Sequence, residues 1–368
     1  MNPCTFIAIA DVHLQAKLFN LPELEQDLRD TFLKACDLAI EKKVTYLLVV
    51  GDLYDHNKPT PDVVRFVSDQ VKRLKQHNVE MLGIAGDHDK VLNGETWVSI
   101  SNIWGIESDK RFAGHNYVDN PDLLFEHLRH KKNKEQVEWI FLHGQDPILF
   151  PFVEAKKRLD FKEFPLLELY PNLKGVVLGD IHTPYERYIE KDGRKVFIGY
   201  CGSLGYVKSD EVGTKQGLLY FDGKKLSRLP FPMERDFVRL HLTKNKIEPV
   251  DFYYSKYKDY KGKKPVFIVE YDRASADKLD TVKPLYEVGL VKLSRKVINE
   301  ETGKEETINI RSELSSVERI GAVLRTIFPD ETLYDVTFDL LTGDDPKTTL
   351  DEFKRTILDE KEKSGTQG

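Results

Sequence analysis

The chain has 368 residues, 40% of them apolar and 32% charged, with 55 Lys and Arg against 61 Asp and Glu for a formal charge of −6. That length allows a domain of about 200–250 residues plus a smaller one, with a core that needs no disulfides. Cys4, Cys36 and Cys201 are odd in number and spaced like neither a disulfide framework nor a zinc knuckle, which points to a reducing, cytoplasmic setting. No apolar run approaches the ~18 residues of a membrane span, and "MNPCTFIAIAD" reads as a first strand, not a secretion signal. The charge balance neither demands nor excludes a nucleic-acid partner, so such a surface has to be local.

Five apolar, β-rich runs of strand length mark the first half: 4–10, 44–50, 79–85, 137–142 and 175–179. Residues 22–43 between the first two have helical periodicity, with Leu24, Leu28, Phe32, Ala35 and Ala39 on one face. Residues 60–77 repeat the pattern, with Thr60 as cap, Pro61 in the first turn, and a stripe of Val63, Phe66, Val67, Val71 and Leu74. This is an α/β beginning. After 185 come short strands with turn chemistry, Asp222-Gly223 being a hairpin signal, so the sheet is expected to be mixed. The prolines of "PFPMERDF" (230–237) suggest a boundary. Strands at 264–272 and 290–298, a helical 274–288 interrupted by Pro284, and a hairpin tip at "NEETGKEE" suggest a small α+β module. Residues 315–328 and 348–360 read as a helical tail.

Each of the five strands is followed by groups with metal-binding chemistry. Asp11 and His13 follow the first, Asp52 and Asp55 the second, and Asp87, His88 and Asp89 the third; His143 follows the fourth, and Asp180 and His182 the fifth. Open α/β sheets bind ligands beyond the carboxyl ends of their strands, so these residues are expected to converge. Imidazoles and carboxylates without thiolates favour Mn, Fe, Mg or Zn over a structural zinc site, and their number suits two ions sharing a bridging carboxylate.

Through "DVH" (11–13), "GDLYD" (51–55), "GDHD" (86–89), "HG" (143–144) and "GDIH" (179–182), the chain resembles the calcineurin-like metallophosphoesterases. "GDLYDHNKPTPD", "IAGDHDK" and "IGYCGSLGYVKSDE" are most similar to the SbcD-type DNA repair nucleases, the meiotic recombination eleven family, although Cys201 stands where that family more often has Pro. The resemblance covers residues 1 to about 232 by motif and the remainder by size and position. It implies an α/β metallophosphoesterase β-sandwich flanked by helices over 1–232, a small α+β capping and DNA-binding domain over 233–312, and a helical C-terminal partner-docking segment over 313–368.

The same resemblance implies two divalent ions, Mn first and Mg second. Asp11, His13 and His182 would hold one ion, Asp52 would bridge, and Asp87, His143 and Asp180 would hold the other. His88 would act on the leaving oxygen as acid or electrostatic stabiliser, with Asp55 fixing its orientation, and the nucleophile would be a water or hydroxide between the ions. Asp89 is expected to cap the following turn. Exonuclease action on duplex ends and endonuclease action on single strands are the implied activities. DNA, an SMC-like coiled-coil ATPase of the SbcC type and a homodimer are the implied partners. The rival readings are a phosphoesterase for small nucleotides or phosphoproteins, and a non-catalytic DNA-binding subunit whose second metal site has decayed.

Two positions depart from the family pattern: Asp87 stands where Asn is usual and Asp180 where His is usual, both on the second ion. The four ligand carboxylates then carry about −4 against about +4 from two ions, where the usual pattern leaves an excess of about +2. Harder oxygen donors should favour Mn or Mg over Zn there, and a less positive site should acidify its water less. A weakened or lost second ion is the alternative. For nucleic acid, Lys131 and Lys132 lie in the basic run 128–135, and Tyr254, Lys256, Tyr257 and Lys258 interleave rings with cations in 252–265.

Overall fold

The computed structural model describes residues 4–308 except 91–95, 150–154, 162–163, 243–249, 272–278 and 299–304. The helical segment expected over 313–368 and the hairpin tip at 299–304 lie outside the described residues. The chain divides into two compact units, one of Met1–Phe237 with Asp259–Val266, the other of Val238–Lys258 and the described residues from Phe267 onward.

In the first unit β1 (Phe6–Ile9), β2 (Tyr46–Val50), β3 (Glu80–Ile84) and β4 (Trp104–Gly105) run parallel. Their sheet is completed on the other side of β1 by a hairpin described below. A second sheet holds β5 (Phe112–Gly114), β6 (Trp139–His143), β7 (Gly175–Gly179), β8 (Glu186–Lys191) and β9 (Arg194–Tyr200), in the order β5-β6-β7-β9-β8 with β8 antiparallel. The hairpin β10 (Gly217–Phe221) and β11 (Leu226–Pro230) returns to the first sheet, giving the order β11-β10-β1-β2-β3-β4. Asp222 Oδ1 accepts the amides of Lys224 and Lys225, and Gly223 takes φ +97°, the turn that Asp-Gly announces.

The alternation of a strand explains why the sequence runs are apolar throughout. Phe6, Ala8, Leu48, Val50, Phe141, Trp139 and Val177 pack between the two sheets. Their neighbours Ile7, Ile9, Leu47 and Val49 face outward onto helices α1 (Pro22–Glu41) and α2 (Pro61–Gln76), while Ile140, Leu142, Val176 and Leu178 lie in a third cluster with the helix Pro121–His130. The remaining helices of this unit are α3 (Trp97–Ile100), α4 (Pro121–His130) and α5 (Leu166–Leu169). The central strands β1, β2, β6 and β7 are buried on both faces, so the chain forms the expected sandwich with flanking helices. Leu24, Leu28, Phe32, Ala35 and Ala39 are all buried on α1. Pro61 opens α2 as expected, but Thr60 does not cap with its hydroxyl; Gln15 engages it instead, donating to Thr60 Oγ1 at 3.1 Å and accepting the Thr60 amide at 2.9 Å.

The first unit runs past the 232/233 boundary expected from the prolines, and ion pairs give the reason. Buried Arg235 pairs through Nε with Asp27 on α1 at 2.5 Å, and Lys263 reaches Asp27 at 2.8 Å and Asp30 at 2.5 Å. The second unit has a sheet in the order β12 (Phe237–Leu242), β13 (Val266–Tyr271), β14 (Leu290–Ile298), β15 (Glu305–Ile308). Helices α6 (Val250–Tyr257) and α7 (Leu285–Val288), the latter beginning just after Pro284, share its core of Leu240, Tyr257, Phe267, Val269 and Leu285. Among the described residues no helix is long and apolar enough to cross a membrane.

Candidate metal centre

The loops after β1, β2 and β3 of one sheet and after β6 and β7 of the other meet at one end of the sandwich. Beyond the strands the first two loops stay in parallel register, with Asp11 N donating to Gly51 O, His13 N to Asp52 O and Leu14 N to Leu53 O at 3.0–3.1 Å. Four of the acid and imidazole positions are bent into left-handed backbone: Asp11 (φ +50°), His13 (+47°), Asp52 (+50°) and Asp180 (+93°). At about 1–2 kcal/mol each this strain totals about 4–8 kcal/mol, comparable with a whole domain's net stability. Such strain persists where surrounding contacts over-determine it, and it concentrates at functional sites.

The glycines of the three Gly-Asp motifs allow the close approach. A Cβ on Gly51 would come within 2.2 Å of His143 Nδ1, one on Gly86 within 2.0 Å of Asp52 Oδ1, and one on Gly179 within 2.1 Å of Val50 O. None of those neighbours is a flexible chain end, so each position is closed to any larger residue.

All seven metal-ligand candidates come together. Ligand atoms of Asp11, His13 and His182 lie within 4.8 Å of one another, as do those of Asp11, Asp52 and His143, and those of Asp87, His143 and Asp180. The trio His13, Asp52 and His88 is equally close. Three imidazoles set Nδ1 beside an oxygen and turn Nε2 to the centre; for His143 and His182 the Nδ1 contact is a hydrogen bond, whereas His13 Nδ1 makes none among the described residues. His13 Nδ1 lies 3.3 Å from Asp55 Oδ1, His143 Nδ1 3.2 Å from Val50 O, and His182 Nδ1 2.5 Å from Glu211 Oε1. His13 and His182 bring their Nε2 atoms within 3.2 Å of each other, and His143 Nε2 is 3.3 Å from both Asp52 Oδ2 and Asp87 Oδ1. Anchoring of this kind fixes the tautomer and orients an imidazole toward a metal.

The donor set fits divalent ions on an observation independent of motif. Asp11 Oδ2, Asp87 Oδ1 and His143 Nε2 are buried without a hydrogen-bond partner, a costly arrangement for a protein that binds nothing there. Burial raises the Asp11 carboxyl above its usual range, against the pull of His182 and His143. Burial would do the same to Asp52, but the His143 and His13 imidazoles outweigh it and hold that carboxyl well below. His143 answers in the opposite sense: burial disfavours its charge, yet Asp52 and Asp87 raise its pKa well above the imidazole norm.

One expected role changes on contact with the geometry. Asp55 does position His88, but through its backbone carbonyl, which takes a short hydrogen bond from His88 Nδ1, while its carboxylate serves His13. The Asp89 carboxylate, fully buried, accepts the amides of Leu53, Tyr54 and Gly86 at 2.9–3.2 Å and so clamps the β2 loop to the β3 loop; residues 91–95 of the turn it was expected to cap lie outside the described residues. His88 itself is fixed by its amide, which donates to Asp52 Oδ1 at 3.0 Å.

Three contributors escaped the sequence reading. Glu211 supports His182; Gln145 donates to Asp180 Oδ2 at 2.6 Å; and Lys157 reaches both Asp87 (Oδ2, 3.0 Å) and, in a shorter contact, Asp180 Oδ1. Lys157 corrects the charge count: about −4 from carboxylates becomes about −3, so two ions would leave an excess of about +1.

The nucleic-acid candidates are dispersed. Lys131 at the end of α4 is committed to Glu107 at 3.0 Å, whereas Lys132 is exposed. In the second unit Tyr257 is buried in the core, which removes its ring from the set on which a base could stack. Tyr254 is half-buried with its hydroxyl 3.1 Å from Glu287, and Lys256 and Lys258 are exposed.

A two-sheet sandwich whose strand ends gather carboxylates and Nε2-presenting imidazoles defines a metallophosphoesterase. Residues 4–184, just under half of the chain, match the calcineurin-like phosphoesterase family. Among curated relatives, it is similar to the DNA double-strand break repair protein Mre11 of Sulfurisphaera tokodaii, 26% identical over 78% of this chain and 78% of that protein. The Mre11 proteins of Saccharolobus solfataricus (38% identical, 55% of this chain and 55% of theirs) and Thermoplasma acidophilum (34%, 56% and 58%) match as well. The chain thus spans little more than half the length of the latter two.

Proposed function

We propose that the protein is a two-metal DNA nuclease acting in double-strand break repair. The observation that carries the chemistry is the set of three imidazoles, two of them anchored at Nδ1 by a hydrogen bond, presenting Nε2 into a box of four carboxylates. Asp11, His13 and His182 hold one ion, Asp87, His143 and Asp180 the other, and Asp52 lies between them. Two divalent ions, Mn before Mg, supply the charge neutralisation and water activation that phosphodiester hydrolysis needs. The DNA assignment is supported by the Mre11 relatives. Because a carbonyl only accepts, His88 Nδ1 keeps its hydrogen on the Asp55 carbonyl, so the proton for the departing oxygen would come from Nε2–H of the imidazolium, which ends as the neutral Nδ1–H ring. The region from 313 to 368 is the proposed docking segment for a coiled-coil ATPase.

Duplex DNA, bis-p-nitrophenyl phosphate and p-nitrophenyl phosphate, each with Mn, Mg or Zn, separate the readings. Mn-dependent cleavage of DNA and the diester is expected; turnover of the monoester alone would make the protein a small-molecule phosphatase, and binding of DNA without any cleavage would make it a scaffold.

Metal binding is expected to release protons. Burial disfavours charge on His143, but Asp52 and Asp87 outweigh it and raise its pKa well above the usual imidazole value of about 6.5, which favours the protonated ring without metal. A ligand imidazole must be neutral. Affinity for Mn should therefore climb as pH rises above about 6.5, and calorimetric heats should depend on the buffer's ionisation enthalpy. Buffer-independent heats would remove His143 from the ligand set.

A further inference from the structure

Lys157 is not part of the motif set, yet it occupies the carboxylate-rich half of the centre. The loop after β6 holds it there: Gln145 N donates to Lys157 O at 2.6 Å and Leu159 N to Gln145 O at 2.8 Å, a short parallel pairing beside the site. Its ammonium bonds Asp180 Oδ1, the same oxygen that faces His143 Nε2 at 3.8 Å. The other Asp180 oxygen is taken by Gln145. Asp87 is divided, with Oδ2 on Lys157 at 3.0 Å and Oδ1 turned to His143 and otherwise without a partner. Across the centre, Asp11 Oδ2 is free of any partner.

We propose that Lys157 is a resident counter-cation that competes with the second divalent ion for Asp180 and Asp87, so that the Asp11–His13–His182 half loads first and the second ion binds conditionally. An ion reaching Asp180 must share an oxygen with the ammonium or displace it, and like charges this close repel. Counting carboxylates and lysine alone, the first ion takes the sum from about −3 to about −1, which weakens the attraction for a second cation. Lys157 positions the ligands and need not touch substrate.

The inference rests on the two-ion reading above, and Mn titration of the full chain by electron paramagnetic resonance separates the two. Wild type should bind two ions with affinities differing by about tenfold or more. Lys157→Met should tighten the weaker ion by about tenfold or more while moving the tighter one by less than about threefold. Lys157→Gln keeps a hydrogen-bond donor without the charge and should show the same tightening. Without metal, the unpaired aspartates should lower the melting temperature of Lys157→Met by about 4 °C or more, and Mn should restore more than it gives wild type. Two equally tight ions in wild type, or a second ion unchanged or weakened in both variants, would overturn the role of Lys157. Asp11→Asn tests the underlying reading: if it binds two ions as wild type does, the ligand assignment fails, whatever Lys157 does.

Discussion

Asp52→Ala should reduce DNA and diester hydrolysis by about 10³-fold or more, the largest loss expected of any single substitution here. Asp52 lies close to an imidazole of each half and also holds the His88 amide. Its Oδ2 lies 3.6 Å from His13 Nε2 and 3.3 Å from His143 Nε2, and its Oδ1 accepts the His88 amide. The alanine therefore removes a shared anion and a tie to the proton donor together. Asp52→Asn separates them, because its amide oxygen can still accept the His88 N–H while the charge is gone. If charge is what matters, Asp52→Asn loses activity nearly as fully as Asp52→Ala and binds Mn weakly in the same titration. An asparagine variant within about tenfold of wild type would demote Asp52 to scaffolding. The charge has a stability consequence too. The imidazoles depress the Asp52 pKa below its unfolded value, so the carboxylate stabilises the metal-free fold above the ordinary carboxyl range, and that contribution is lost as pH falls through the folded-state value. At neutral pH both variants should melt below wild type when metal is absent, and the gap should close in acid.

Much of this centre was legible because its signal is local. A Gly-Asp or an Asp-x-His directly after a buried strand names its place in the fold, and five such places at the strand ends of two sheets packed face to face meet at one end of the sandwich. Gly51, Gly86 and Gly179 belong to the same signal, since each stands where a Cβ would strike the centre. What stayed illegible is long-range and chemically ordinary. Lys157 sits in "EAKKRLD" with no periodicity or motif to distinguish it from Lys156, and only the loop pairing with Gln145 puts it on Asp180. The need for a cation was visible in the excess of carboxylate at 87 and 180; which cation was not. Glu211 likewise reads as part of a polar turn, and its own backbone contacts, with Val207 and Lys208 amides on its second oxygen, are what aim the first at His182. Asp55 was misassigned in detail because sequence cannot separate a carboxylate from the carbonyl of the same residue. The reading of two apolar faces per strand was sound, but a single open sheet would produce the same runs; the sandwich entered through family resemblance, and it appears in the structure because the inward rows Phe6/Ala8 and Trp139/Phe141 pack on each other.

The second large effect concerns His88 and depends on what leaves. His88→Ala should slow DNA cleavage by about 10²–10⁴-fold, the usual contribution of a positioned acid, yet slow hydrolysis of a p-nitrophenyl ester of thymidylate far less, because a nitrophenolate departs without a proton. A deoxyribose alkoxide does not. Equal losses on the two substrates would mean that His88 stabilises charge on the phosphate without delivering a proton. Proximity also admits a third role, since His88 shares a close trio with His13 and Asp52, its ring meeting the His13 ring edge-on at 4.9 Å. Metal content decides that point: His88→Ala should bind as many Mn ions as wild type, and loss of one would make His88 a ligand. Asp55→Ala provides the complementary test. The carbonyl that holds His88 survives that substitution, while the carboxylate beside His13 Nδ1 does not, so the variant should keep its preference between the two leaving groups and lose about 10–100-fold in affinity at the first ion. A variant that instead lost the leaving-group preference would return the Asp55 carboxylate to His88.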